Sequence, residues 1–165
     1  MYGNHFTWSF AGGWQSRFDT AGVAQLRYFE NFFTHANWFD LVPDQSHKLV
    51  TSGYGTFNTT KDFLLTGNDY VTAALSQDGT RGVVYCPKNT TLTLCLTNFA
   101  GPVTAKWYDP SAGTYSPVAG SPFANTIVAK NVATPGNNAA NDPDWVMLLK
   151  AGSATTNLRY RPTPP

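Results

Sequence analysis

Charge is scarce in this chain. Of its 165 residues, 13% are Asp, Glu, Lys or Arg, and the formal net charge is +1. A chain so balanced has no broad field with which to attract nucleic acid or an anionic membrane, and neither is expected as a partner. Glutamate is nearly missing, since Glu30 is the only one. No apolar run approaches the roughly 18 residues a membrane span needs. Cysteine occurs twice, at 86 and 95, without C-x-x-C or H-x-x-x-H spacing, so no metal and no cofactor is expected. If Pro87 to Thr90 close a hairpin, Cys86 faces a residue near Thr91 and Cys95 pairs further down. The two sulfurs then miss the short Cβ separation of a disulfide, and two free strand thiols are expected. The N-terminal MYGNHFTWSF lacks the basic start and apolar centre of a signal peptide. Either a signal was removed or the chain is a piece of something longer.

Thr, Asn, Ser and Gly carry the polarity instead, beside 42% hydrophobic and 15% aromatic residues. That mixture favours many short strands joined by turns. It is also common in secreted proteins that handle glycans, so a secreted or periplasmic location is expected. One helix stands out, over Thr20 to Phe33, with Asp19 or Thr20 to cap it. Val23, Leu26, Phe29 or Glu30, and Phe33 follow helical spacing. So many Phe residues must press on something, either the β-domain of the same chain or a second copy.

After Pro43 the sequence reads as strands. Val71, Ala73 and Leu75 alternate with polar or small residues, and Asp78-Gly79 is preferred chemistry for a two-residue hairpin turn. Leu92, Leu94 and Leu96 share one face. Val103, Ala105 and Trp107 share another, with Thr104, Lys106 and Tyr108 opposite. Asp109-Pro110-Ser111-Ala112-Gly113 supplies a turn. This alternation makes Trp107 a core residue and leaves Tyr108 outside as a candidate aromatic platform. Shorter strands are expected near Tyr115 to Val118 and Phe123 to Val128, followed by a polar loop over 131–144. Trp145 to Leu149 (WVMLL) is apolar on both faces and should be a central strand, with a last strand near Asn157 to Tyr160. The pattern describes a mainly β fold, an antiparallel β-sandwich of jelly-roll type with one N-terminal helix.

The order of motifs carries a resemblance. YGNHFTW followed by a helix and W-x-x-LVPDQ resembles the last strand and helix of a (β/α)8 barrel of the apiosidase-like glycoside hydrolases. YVTAALSQDGTRGVVYCP, TLTLCLTNFAGPVTAKWYDPSAGTY and DPDWVMLLK resemble the β-sandwich that follows that barrel, labelled "putative collagen-binding domain of a collagenase". The resemblance implies two parts, residues 1–45 as a remnant of the barrel and 46–165 as the sandwich. The family's catalytic carboxylates lie on earlier barrel strands, outside this chain. It also implies that Tyr2, Asn4, His5 and Trp8 stand at a barrel mouth where they touch sugar.

A glycosidase needs two carboxyl groups across a cleft. The candidates here are Glu30, Asp40 and Asp44. Asp19, Asp78, Asp109, Asp142 and Asp144 neighbour Gly, Pro or a helix start and read as turn or cap residues. No G-x-S-x-G elbow occurs. Among the histidines, His5 has the most suggestive neighbours, and Trp14, Trp38 and Tyr108 are the candidate sugar platforms. Asn58-Thr59-Thr60 and Asn89-Thr90-Thr91 are glycosylation sequons only in a eukaryotic secretory setting. Three functions stay open. The first is an accessory sandwich that packs on a catalytic barrel and holds a polysaccharide or oligosaccharide. The second is a small stand-alone glycoside hydrolase, and the third is binding of collagen or another protein. The expected partners are thus a glycan and either the missing barrel or a second copy of the chain.

Overall fold

The computed structural model describes residues 20–57 and 69–152. After helix α1 (Ala21–Ala36) and a single 3-10 turn (Trp38–Asp40), the chain runs through nine short strands. These are β1 (Leu41–Pro43), β2 (Val50–Ser52), β3 (Thr72–Ser76), β4 (Arg81–Cys86), β5 (Thr91–Leu94), β6 (Val103–Asp109), β7 (Thr114–Pro117), β8 (Lys130–Ala133) and β9 (Trp145–Ala151). Six form a sheet in the order β1-β3-β4-β9-β6-β7, and three form a second sheet in the order β2-β5-β8. Every pairing is antiparallel.

The two sheets enclose one core. Val84, Cys86, Val103, Ala105, Trp107, Met147 and Leu149 from the large sheet meet Val50, Leu92, Leu94 and Val132 from the small one. Leu92, Leu94 and Leu96 are fully buried, as their alternation requires. Each such leucine removed from water is worth about 1.5–3 kcal/mol before chain entropy is counted. Trp107 meets Trp145 edge-on at 6.3 Å, and the Trp145 indole N–H donates to the Gly136 carbonyl at 2.7 Å. The apolar run at 145–149 sits between β4 and β6, a central strand as its composition predicts.

Several connections differ from the sequence reading. Residues 87–90 do not close a hairpin, because β4 lies in the large sheet and β5 in the small one. The thiols are nevertheless free, with Cys86 buried and Cys95 half-buried. Residues 130–133 form β8 rather than the start of a loop, paired with β5 through Leu92↔Val132. The segment 123–128 makes only an isolated bridge, Val103↔Phe123. Leu41–Pro43 extends the large sheet as an edge strand, where a proline is tolerated. The expected strand at 157–160 falls outside the described residues.

Aspartates organise the turns, as their Gly and Pro neighbours imply. In the β3–β4 turn only Gly79 takes a positive φ, so the connection is wider than a two-residue hairpin. Asp78 Oδ1 accepts from the Ser76 hydroxyl at 2.6 Å, the Thr80 hydroxyl at 2.7 Å and the Thr80 amide at 3.0 Å. These bonds, Ser76 foremost, hold its pKa down to about 2. Burial works against the ionised form of Asp109. It is outweighed by the Ser111 hydroxyl and the amides of Ala139, Ser111 and Ala112, and the net direction is downward. Asp144 goes the other way, raised chiefly by burial.

Two expectations follow. A carboxyl whose pKa is depressed on folding stabilises the fold above its unfolded value near 4 and loses that contribution as pH falls through its folded value. The melting-temperature gap between the wild type and Asp78→Asn should therefore be constant above pH 5 and close between pH 4 and about 2. A gap independent of pH would show that the Asp78 contacts do not favour its ionised form. At pH 8, Ellman's reagent should titrate one thiol, Cys95. Cys86, whose thiol burial pushes up to about 12, should react only in denaturant.

Candidate functional site

Helix α1 has two apolar stripes, and the structure shows which one is used. Tyr28, Phe32 and Ala36 turn toward the outer face of the large sheet, where they meet Tyr108, Val83, Val146 and Leu148. Of the expected stripe, Val23, Leu26 and Phe33 are half-buried, whereas Phe29 is 49% exposed. Aromatic residues occur on both sides of the helix, so periodicity alone could not choose between them. The helix begins after Thr20, which is extended and makes no side-chain cap, and ends at Asn37 in the left-handed region.

This packing overturns the reading of Tyr108. Its side chain does point to the face opposite Trp107, but that face lies beneath the helix, and Tyr108 is 3% exposed. Its ring lies 4.9 Å from Phe32 and 4.8 Å from Tyr115. Its hydroxyl donates to the Tyr28 carbonyl at 2.8 Å. Burial pushes its pKa up to about 12. Tyr108 thus anchors the helix and is not a platform. Gly113, at φ +70°, lies so close that a Cβ there would be 2.6 Å from the Tyr28 ring.

The exposed aromatic surface is on the other side of the helix. Phe29 and Phe33 are 4.4 Å apart, and Phe33 meets Trp38 edge-on at 6.2 Å. Trp38, one of the three candidate sugar platforms, is half exposed, and Phe39 beside it is 76% exposed. Sequence reasoning missed this surface by assigning Phe29 to the buried stripe, where Phe33 does pack, half-buried, against the cluster under the helix.

The carboxylate candidates do not converge. Glu30 lies on the exposed surface of α1. Asp40 pairs with the Arg81 guanidinium and so fastens the 3-10 turn to the start of β4. Asp44 accepts from the amides of Lys48, Leu49 and Val50 at 2.7, 2.8 and 3.1 Å, organising the turn into β2. Two shallow clefts of about 380 and 390 Å³ open on the surface, one beside Trp107 and Asn131, the other beside His35 and Lys150. None of the three carboxylates lines either cleft. Tyr2, Asn4, His5, Trp8 and Trp14 lie outside the described residues.

A two-sheet antiparallel sandwich with one helix against its outer face defines the class of domain. Residues 56–150 match the family described as "Putative collagen-binding domain of a collagenase", and the chain belongs to that family. No curated protein matches it. Among solved structures it is similar to a glycoside hydrolase family 5 protein from Bacteroides vulgatus ATCC 8482, with TM-score 0.63 and 18% identity over 85% of this chain and 26% of that one. A second structure, described as a glycoside hydrolase, gives TM-score 0.62 and 18% identity over 89% of this chain and 31% of the other. At that identity the likeness is one of fold. The chain spans about a quarter to a third of the length of these proteins.

The two helix faces should respond differently to truncation. Phe32→Ala removes a ring wedged against Tyr108 and is expected to cost about 3–5 kcal/mol in urea unfolding. Phe29→Ala should fall within about 0.5 kcal/mol of wild type. Equal losses at both positions would contradict the orientation of α1.

Proposed function

We propose that this chain is an accessory β-sandwich of a glycoside-hydrolase-like enzyme, and that the outer aromatic face of α1 is where the rest of the enzyme packs. The observation that carries the reading is the two-sided helix. Tyr28, Phe32 and Ala36 are used up on the sandwich, while Phe29, Trp38 and Phe39 are left exposed. A second body must cover that face for the rings to be worth having in water. The family and the fold likeness support the identity of that body. The likeness over 85% of this chain amounts to about 140 residues, more than the 120 that follow residue 45, so it reaches into the helical segment. In proteins three to four times longer, a helix-plus-sandwich unit of this kind is one part of a glycoside hydrolase. Residues 1–45 are accordingly read as the end of the missing barrel, and a secreted or periplasmic setting fits a partner that is a polysaccharide.

Catalysis by the chain itself has no comparable support, since Glu30 is exposed on α1 while Asp40 and Asp44 are engaged in separate contacts. Collagen binding rests on the family's description.

Alone in solution, the chain should expose its aromatic face. Static light scattering is expected to show concentration-dependent association that Phe29→Ser with Trp38→Ser abolishes. A strict monomer at high concentration that binds no hydrophobic dye would remove the docking face. Release of reducing sugar from a polysaccharide panel would overturn the non-catalytic assignment, and retention on immobilised collagen without retardation in polysaccharide gels would favour the third reading.

A further inference from the structure

The helix covers only part of the outer face of the large sheet. Beyond its cover, Arg81 on β4 stands directly opposite Lys150 on β9, and Lys150 stands opposite Thr104 on β6. Lys106 lies two residues further along β6 on the same face. With strands about 4.8 Å apart, three cations fall on adjacent strands within a short strip. Like charges placed directly across a strand pair are destabilising. Asp40 compensates Arg81, and the only ion pair among the described residues is theirs. Lys150 and Lys106 have no acidic partner there.

The strip runs into a cleft of about 390 Å³, lined by His35, Asn37, Thr80, Arg81 and Lys150 among others and by no aspartate or glutamate. His35 is held in place through Nδ1, which lies 2.7 Å from the Asn31 carbonyl and so donates to it, leaving the other ring nitrogen available. Lys150 without an acidic partner, beside the Asp40-paired Arg81 and flanked by hydroxyls and an amide, fits an anion that also carries hydroxyl groups.

We propose that this strip binds a carboxylated glycan, a polysaccharide of uronic acid units. Its carboxylates lie against Lys150, Lys106 and the Arg81 edge, and Thr80, Thr104 and Asn37 meet its hydroxyls. The choice of a glycan over other polyanions rests on the accessory-module reading above. The basic strip itself does not.

Affinity electrophoresis at low salt, with polygalacturonate, the same polymer after carboxyl reduction, and single-stranded DNA as probes, tests the assignment. Polygalacturonate should retard the chain, the reduced polymer should not, and added salt should weaken the retardation. Lys106→Gln with Lys150→Gln should weaken binding by about tenfold or more, the loss of two charge-assisted contacts. Lys150→Gln alone should melt at or above the wild-type temperature because it relieves the repulsion with Arg81, whereas a merely structural lysine would lower it. No retardation by polygalacturonate, equal retardation by the reduced polymer, or equal affinity for DNA would each overturn the proposal. Phe29→Ser with Trp38→Ser should leave polygalacturonate binding intact, so failure of the docking face and failure of the basic strip can be told apart.

Discussion

The structure depends on β9 being apolar on both sides. Trp145, Met147, Leu149 and Ala151 face the small sheet, and Val146 and Leu148 face the helix. This central strand, with β4 and β6 on either side of it, joins two cores: the sandwich interior and the thinner layer under α1. Neither layer is large, and each borrows rigidity from the shared strand. The pairing of β9 with β4 on one side and β6 on the other satisfies its backbone along the whole length.

Much of the sandwich was legible because a strand's period is rigid. Leu92, Leu94 and Leu96, Val103, Ala105 and Trp107, and the run at 145–149 declare their sides without help from context. What escaped was whatever a third element decides. Tyr108 has the alternation of an exposed residue and is buried by a helix some 80 positions earlier. Phe29 and Phe32 are three residues apart and neighbours on the helix surface, and only the sheet beneath selects between them. The crossover at 87–90 reads like a hairpin because Pro, Lys and Asn make any tight connection, whichever sheet comes next. The aromatic N-terminal candidates, Tyr2 to Trp14, fall outside the described residues, and their roles rest on resemblance alone.

The carboxylates of the sandwich are taken up with holding its own loops. Asp44, Asp78 and Asp109 each satisfy several backbone amides or hydroxyls of their own turn. For Asp78 and Asp109 these hydrogen bonds hold the carboxyl below the usual carboxylate range, which suits anchoring loops. The exposed surface carries rings on the helix and cations on the sheet, two chemistries kept on different elements.

The short strand Leu41–Pro43 makes the natural-looking boundary near residue 45 a poor place to cut. A shortened chain starting at 46 would lose the strand that shields β3, the Asp44 carboxylate that gathers the amides leading into β2, and the helix over Tyr108. It would present an unguarded ladder of amides and carbonyls beside a newly wetted patch of Val83, Val146 and Leu148, the arrangement by which soluble sheets recruit one another into fibres.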